Sequence, residues 1–389
     1  MEREHRTDWF MFCIVAGLAL FGTMMVYSAS AMIAIRETQG ASQYTYFYKQ
    51  LGFTVGGIAL MLIISRIDYR RFQHPVAVYG FLAVTVIGLI AVFAFGEING
   101  AQRWIRFGSF SIQPSELAKI ALPLFLAYFL VKNEGRVTDL KSTVLPCLGV
   151  LGLLSALIVL EPDLGTTIVL SIIFGAVYFS AGAKIIHVAA VAATMILIAG
   201  AMVIVAPWRM ERIMAFVDPF KHSDGAGYQV VQSLYAIGSG GVFGEGFAKG
   251  QQKLFYLPYP YSDFIFSVVG EELGLIGTLA VVVAFGLLLW RGTKAALNAT
   301  DRFGMLLGIG ITTGIVVQAL FNISVVISIL PAKGIPLPFI SYGGSSVMVS
   351  LAAAGVLMSI SRGSSLADET VAPVARVRRK KARSAHAES

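Results

Sequence analysis

Charge is scarce in this chain. Only 13% of its 389 residues are Asp, Glu, Lys or Arg, about half of the roughly 25% that a water-soluble domain carries. So few charges cannot cover a soluble surface, which excludes a secreted domain, a coiled coil and a disordered chain. Cysteine is nearly absent: Cys13 and Cys147 both fall inside apolar runs, so no disulfide framework is available. The five histidines (His5, His74, His187, His222, His386) show no metal-ligand spacing. The glycine-rich stretch 238–250 lacks Gly-Lys-Ser/Thr, and no Gly-x-Ser-x-Gly occurs. Zinc hydrolysis, P-loop nucleotide chemistry and a serine triad are therefore disfavoured.

What the chain does have is apolar surface. Hydrophobic residues make up 56% of it, and a membrane-spanning helix needs about 20 of them. Ten runs qualify, at about 9–35, 48–65, 76–95, 116–131, 143–160, 164–181, 185–206, 264–290, 303–330 and 345–361. The fold class that follows is an all-α polytopic membrane protein of about ten transmembrane helices. The first run ends in Tyr-Ser-Ala-Ser-Ala at 27–31, which imitates a signal-peptidase site. Its length and the acidic Glu2, Glu4 and Asp8 before it point instead to a retained first helix.

Ten spans return the chain to the side on which it began. With the N-terminus inside, nineteen basic residues fall in cytoplasmic segments and ten outside, so the positive-inside rule predicts both termini in the cytoplasm. The net charge of +8 then needs no nucleic-acid partner. Seven basic residues lie from Arg362 onward, in a tail over 362–389 expected to be disordered and drawn to anionic lipid. Residues 1–361 form the membrane domain, with one large extracytoplasmic loop, about 207–262, between helices 7 and 8. Connections of that length are functional or disordered. The aromatics within it, including Phe216, Phe220, Tyr228, Phe243 and Tyr256, argue that it is folded.

Ionisable groups within or at the ends of spans are functional candidates by default. Glu116 and Lys119 are three apart, on one helical face, and suit either an ion pair or a substrate contact. Asp163 in Glu161-Pro162-Asp163 reads as a helix N-cap or a ligand. Glu271 and Glu272 suit hydrogen bonding within the bundle or a direct role. Asp263 opens the eighth span, as a helix cap or as a general base at a cavity mouth. Lys333 sits in a Pro/Gly-rich segment between the last two spans. Two basic amphipathic pieces, 99–108 with Arg103, Trp104 and Arg106, and 208–216 with Arg209 and Arg212, fit the lipid–water interface or an anionic ligand.

Several stretches carry a resemblance. They are Asn-Gly-Ala-Gln-Arg-Trp-Ile at 99–105, Gln-Pro-Ser-Glu-Leu-Ala-Lys at 113–119, Glu-Pro-Asp-Leu-Gly-Thr at 161–166, Gly-Tyr-Gln-Val-Val-Gln-Ser at 227–233, Ala-Ile-Gly-Ser-Gly-Gly at 236–241, Asp-Phe-Ile-Phe-Ser-Val-Val-Gly-Glu-Glu-Leu-Gly at 263–274 and Gly-Ile-Pro-Leu-Pro-Phe-Ile-Ser-Tyr-Gly-Gly-Ser-Ser at 334–346. In this order, over most of the chain, they resemble the SEDS proteins (shape, elongation, division and sporulation), which polymerise peptidoglycan glycan strands. Lys333, the 251–258 stretch and the basic tail are more similar to the division-type members than to the elongation type. One motif departs: the family's usual Leu-Pro-Glu-x-His-Thr-Asp-Phe reads Leu257-Pro258-Tyr259-Pro260-Tyr261-Ser262-Asp263-Phe264 here.

The resemblance implies a glycosyltransferase that joins lipid II units at the outer face of the bacterial cytoplasmic membrane, at the division septum, releasing undecaprenyl pyrophosphate. The family's catalytic aspartate maps onto Asp263. Arg103, Arg106, Lys119, Arg209 and Arg212 are the candidates to hold pyrophosphate. Glu116, Asp163, Gln232, Lys333, Ser341 and Ser345 are further substrate-contact candidates. A divalent cation, Mg²⁺ or Mn²⁺, is a candidate cofactor at Asp163 and Asp263. The implied partners are lipid II, the growing glycan strand, a class B penicillin-binding transpeptidase and other division-site membrane proteins. A lipid II flippase and a non-catalytic scaffold are the alternative readings.

Overall fold

The computed structural model describes residues 8–97, 102–108, 110–205 and 207–363. Arg3, Arg6, the Asn-Gly-Ala at 99–101 and the tail over 364–389 lie outside the described residues. The ten apolar runs form ten helices: α1 (Trp9–Glu37), α2 (Thr45–Arg66), α3 (Pro75–Ala91), α4 (Pro114–Lys132), α5 (Leu145–Leu160), α6 (Leu164–Ser180), α7 (Ile185–Val205), α10 (Ile265–Leu297), α11 (Arg302–Val326) and α12 (Gly344–Gly363). Among the described residues, nine of these are long and apolar enough to cross a membrane, and α6 is the shorter apolar one. The loop between α7 and α10 is folded, with α8 (Pro207–Val217) and α9 (Tyr228–Gly240) inside it. The chain before α4 adds an antiparallel hairpin, β1 (Ile105–Phe107) and β2 (Phe110–Ile112), with Arg106 opposite Ser111.

Local chemistry sets the helix ends. Asp8 caps α1 through Met11 N–H (3.0 Å), Asp301 caps α11 through Gly304 N–H (2.8 Å), and Pro114 opens α4, where its missing N–H costs nothing. α1 runs unbroken through residues 27–31, with Ser28, Ala29 and Ser30 buried. The α4, α11 and α12 helices are the most enclosed, packing through residues such as Leu122, Leu126, Ile311 and Leu357, while α7 lies at the periphery. Apolar side chains left exposed on peripheral helices face hydrocarbon, so their exposure carries no penalty in a bilayer.

The eighth span differs from the single helix predicted by its hydropathy. At Gly274 the backbone turns to φ 63°, ψ −159°, and α10 becomes two helical pieces. Only glycine fits: a Cβ there would sit 2.4 Å from Gly244 N. The freed backbone groups bond the stretch of the loop that follows α9, with Glu245 N–H donating to Glu271 O and Leu275 N–H to Gly241 O (3.0 and 2.9 Å). The two glutamates of the first piece complete this anchorage. Glu271 accepts from Gln251 and Gln252 N–H (2.6 and 2.9 Å). Glu272 pairs with Lys253 Nζ (2.5 Å) and accepts from Ser28 Oγ (2.6 Å) and Ala248 N–H (2.9 Å). Of the two roles the sequence left open for them, hydrogen bonding within the bundle is the one seen.

Candidate active site

Where the folded loop meets α4, α6 and α11, the chain encloses a polar cavity of about 340 Å³. Asp263 lines it from the segment before α10, Arg103 from the irregular segment leading into β1, Glu116 and Lys119 from α4, Asp163 from the start of α6, Arg212 from α8, and Lys333 from the segment between α11 and α12. Seven residues singled out in the sequence, from six separate stretches, therefore converge on one space.

Each is held by specific bonds. Lys119 Nζ donates to Glu116 Oε1 (2.7 Å) and to Gln318 Oε1, and Ser346 Oγ donates to Glu116 Oε2 (2.9 Å). The i, i+3 spacing thus yields a buried pair with further bonds on both partners, as a low-dielectric site requires. Asp163 is an N-cap in fact as well as a cavity residue: Oδ1 accepts Thr166 N–H (3.0 Å) and Oδ2 accepts Thr166 Oγ1 (2.8 Å). Arg103 donates from Nε to Glu161 O (2.8 Å) and from Nη2 to Pro162 O (2.6 Å), so two carbonyls at the α5–α6 corner aim its guanidinium.

Asp263 is fixed from both ends. Asn322 Nδ2 on α11 donates to its carbonyl oxygen and to Ile335 O (both 2.7 Å), and Ser262 Oγ donates to its Oδ1 (3.0 Å). Its Oδ2 lies against Gly334, where a Cβ would come within 2.7 Å. Burial pushes the Asp263 carboxyl up from its ordinary range. The Ser262 hydrogen bond and the charges of Arg103 and Arg212 pull it back, while Asp163 adds to the rise. Burial lowers the Lys333 ammonium, against the charge of Asp163, and it lowers Arg212 as well. Glu161, buried behind Arg103 with neither carboxyl oxygen bonded among the described residues, is pushed up to about 9, chiefly by burial.

A second cavity, of about 290 Å³, adjoins the first and shares Arg103, Asp163, Arg212, Lys333 and Gly334 with it. Its other walls are apolar: Leu164, Ile168, Val203, Ile213 and Phe321, with Trp208. Arg209 lines this cavity, with its guanidinium over the Trp208 ring (4.7 Å) and bonded to Met202 O (3.1 Å). Four predicted contacts line neither cavity. Arg106 is exposed on β1, and Gln232 is partly buried on α9. Ser341 is buried, its Oγ accepting Leu337 N–H and donating to Ser262 O (both 2.7 Å). Ser345 Oγ accepts Gln113 N–H (3.3 Å). Ser341 ties two loop segments together, and Ser345 ties the start of α12 to the residue before α4.

The residues that charge alone did not reveal are Gln318, Asn322 and Ser346. Gln318 Nε2 also donates to Pro336 O (2.9 Å). Gln318 and Asn322 lie four apart and are the two amides of α11, and that spacing was the available signal, because an amide buried in a span is costly unless bonded. As a metal site, Asp163 and Asp263 supply two carboxylates, one of them occupied in capping. No group of three His, Cys, Asp or Glu that could hold an ion occurs among the described residues. The pair suits a cation only where phosphate oxygens complete the shell.

Comparison with known proteins follows the same lines. The family model for cell cycle proteins (FtsW, RodA, SpoVE) matches residues 8–366. A probable peptidoglycan glycosyltransferase FtsW of Trichlorobacter lovleyi is 38% identical over 365 residues, 93% of this chain and 95% of that protein. Stage V sporulation protein E of Bacillus subtilis is 38% identical over 358 residues, 91% of this chain and 97% of that one. Among solved structures, a chain of a peptidoglycan synthase complex described as coordinating polymerization and crosslinking aligns with a TM-score of 0.73 at 26% identity, covering 92% of this chain and 98% of that one. The rod shape determining protein RodA of Thermus thermophilus aligns with a TM-score of 0.65 at 27% identity, covering 92% and 97%.

Proposed function

Because this chain belongs to the FtsW, RodA and SpoVE family of cell cycle proteins, we propose that its two joined cavities bind lipid II and that Asp263 drives its polymerisation. The chain is a multi-pass membrane peptidoglycan glycosyltransferase. The observation that carries the mechanism is the seam between the cavities. Arg103, Arg212 and Lys333 stand at the join of a polar space and an apolar one, and a polyprenyl pyrophosphate sugar has the same order of parts. The sugar occupies the polar cavity, the pyrophosphate meets the cations by charge-assisted hydrogen bonds, and the start of the polyprenyl tail enters the apolar cavity.

Asp263 takes the proton of the acceptor 4-hydroxyl as that oxygen bonds to the donor's anomeric carbon. The bond from that carbon to the pyrophosphate oxygen breaks, and the leaving undecaprenyl pyrophosphate carries its added charge toward Arg103, Arg212 and Lys333. The substrate's negative charge offsets the arginines that otherwise stabilise ionised Asp263, so the carboxylate becomes more basic when the site is filled. Mg²⁺ or Mn²⁺ held by substrate phosphates with Asp163 and Asp263 would add positive charge at the same place, and no step here depends on it.

The reading extends to setting. Both termini lie in the cytoplasm, the cavities open outward, and the chain works at the septum of a bacterial cytoplasmic membrane beside a class B transpeptidase. The charge bias of the segments and the likeness to a synthase complex that couples polymerization and crosslinking support this. Fluorescent lipid II in liposomes containing the purified chain, with Mg²⁺ or Mn²⁺ and with or without a class B transpeptidase, tests it. Glycan polymer is the expected product; translocated lipid II with no polymer under any of these conditions would overturn the reading in favour of a flippase.

A further inference from the structure

The lining of the polar cavity is of two kinds. Arg103, Arg212 and Lys333 are shared with the apolar cavity, whereas Tyr259, Tyr342, Gln113 and Gln229 line the polar cavity and have no part in the apolar one. We propose that Tyr259 and Tyr342 form a carbohydrate-stacking subsite that holds the glycan strand against Asp263; the inference rests on the polymerase reading above.

Tyr342 is fixed in place. Its ring meets Tyr46 (5.1 Å between centroids, 73° between planes) and Tyr261 (5.5 Å, 83°), and Tyr46 and Tyr261 meet each other at 4.8 Å. Tyr46 on α2 is tied in turn, its hydroxyl donating to Glu37 Oε2 (2.7 Å). The backbone joins the rings to the base: Tyr342 N–H donates to Tyr261 O (2.8 Å) and Ser341 Oγ to Ser262 O (2.7 Å). The segments bearing Tyr259, Asp263 and Tyr342 are therefore braced as one unit. Tyr259 lines the cavity and is 48% exposed, so part of its side chain remains accessible from outside the fold.

The chemistry matches an uncharged polyol. A pyranose packs its C–H face on an aromatic ring, and its hydroxyls and acetamido groups need amide partners, which Gln113 and Gln229 supply from the same lining. Tyrosines that only anchor a protein at the bilayer surface lie on its lipid-facing periphery; these two line a space that also contains Glu116, Lys119 and Asp263.

The test uses the purified full chain in nanodiscs and, as probe, a short lipid-free glycan of alternating N-acetylglucosamine and N-acetylmuramic acid without peptides, titrated by saturation-transfer NMR. The wild type binds it, and Tyr259→Ala and Tyr342→Ala each weaken binding about tenfold, the size of one lost stacking contact. Tyr342→Phe keeps the ring and keeps the affinity, which separates stacking from damage to the fold. In lipid II assays Tyr259→Ala yields shorter strands. Asp263→Asn binds the glycan as the wild type does while making no polymer, so failure of the base and failure of the subsite are read separately. No binding by the wild type, or wild-type affinity in both alanine variants, would overturn the proposal and leave the tyrosines as interfacial anchors.

Discussion

Gly334→Ala should slow polymerisation without unfolding the protein. The added methyl carbon would sit 2.7 Å from Asp263 Oδ2, whereas ordinary contact begins at 3.4 Å, so the carboxylate must move by about 0.7 Å. The backbone of Asp263 cannot follow easily, because Asn322 Nδ2 holds its carbonyl at 2.7 Å; the side chain rotates instead, against its bond to Ser262. A displacement of about 1 Å at a reacting group can cost on the order of a hundredfold in rate, so a loss of roughly ten- to a hundredfold is expected. Gly238→Ala on α9, where a Cβ meets nothing within 4 Å, is the control. Initial rates of lipid II polymerisation, measured beside thermal melting of each variant, decide the matter. A wild-type rate in Gly334→Ala, or an equal loss in Gly238→Ala, would refute the placement of Asp263.

Two further predictions concern buried charge. Glu161, pushed up to about 9 in the folded protein from 4.5, keeps its proton at neutral pH when the unfolded chain does not. Stability therefore falls as pH rises from about 4.5 and is lowest above about 9, and Glu161→Gln should flatten that part of a melting-temperature-against-pH profile; an unchanged slope would show that another group is responsible. In the Glu116–Lys119 pair, Lys119→Met leaves Glu116 buried without its cation and should cost about 3–5 kcal/mol. The double change Glu116→Gln with Lys119→Met should recover most of that in thermal unfolding, yet remain impaired on lipid II, since both residues line the cavity. Additive losses in the double variant would contradict the pairing.

Much of this was legible in the sequence because the strongest signals are chemical rather than positional. Apolar runs located ten helices, and charge at the spans together with two basic amphipathic pieces located seven side chains that prove to share a cavity. Hydropathy averages over a turn or more, so it could not register one residue's φ, and the break at Gly274 was hidden within a run that reads as one span. The hairpin at 105–112 overlaps the basic amphipathic piece at 99–108, whose composition suggested an interface or an anionic ligand but no strand. Arg106 and Arg103 are three apart, yet Arg103 reaches the carbonyls of the α5–α6 corner while Arg106 is exposed on its strand. Neutral amides escape a search for ionisable groups, which is why Gln318 and Asn322 emerged only as bonded partners of Lys119 and Asp263. Ser341 and Ser345 carry hydroxyls like any substrate-binding serine, and only packing shows both spent on backbone groups.

Lipid II polymerisation by Asp263→Asn tests the role of the buried carboxylate most directly. Asparagine keeps the shape of the side chain, so the variant should fold, insert and retain the cations at the cavity seam, but an amide cannot take the acceptor's proton. Asp263→Asn should melt like the wild type and make no glycan. Strands of normal length from the purified variant would contradict that role.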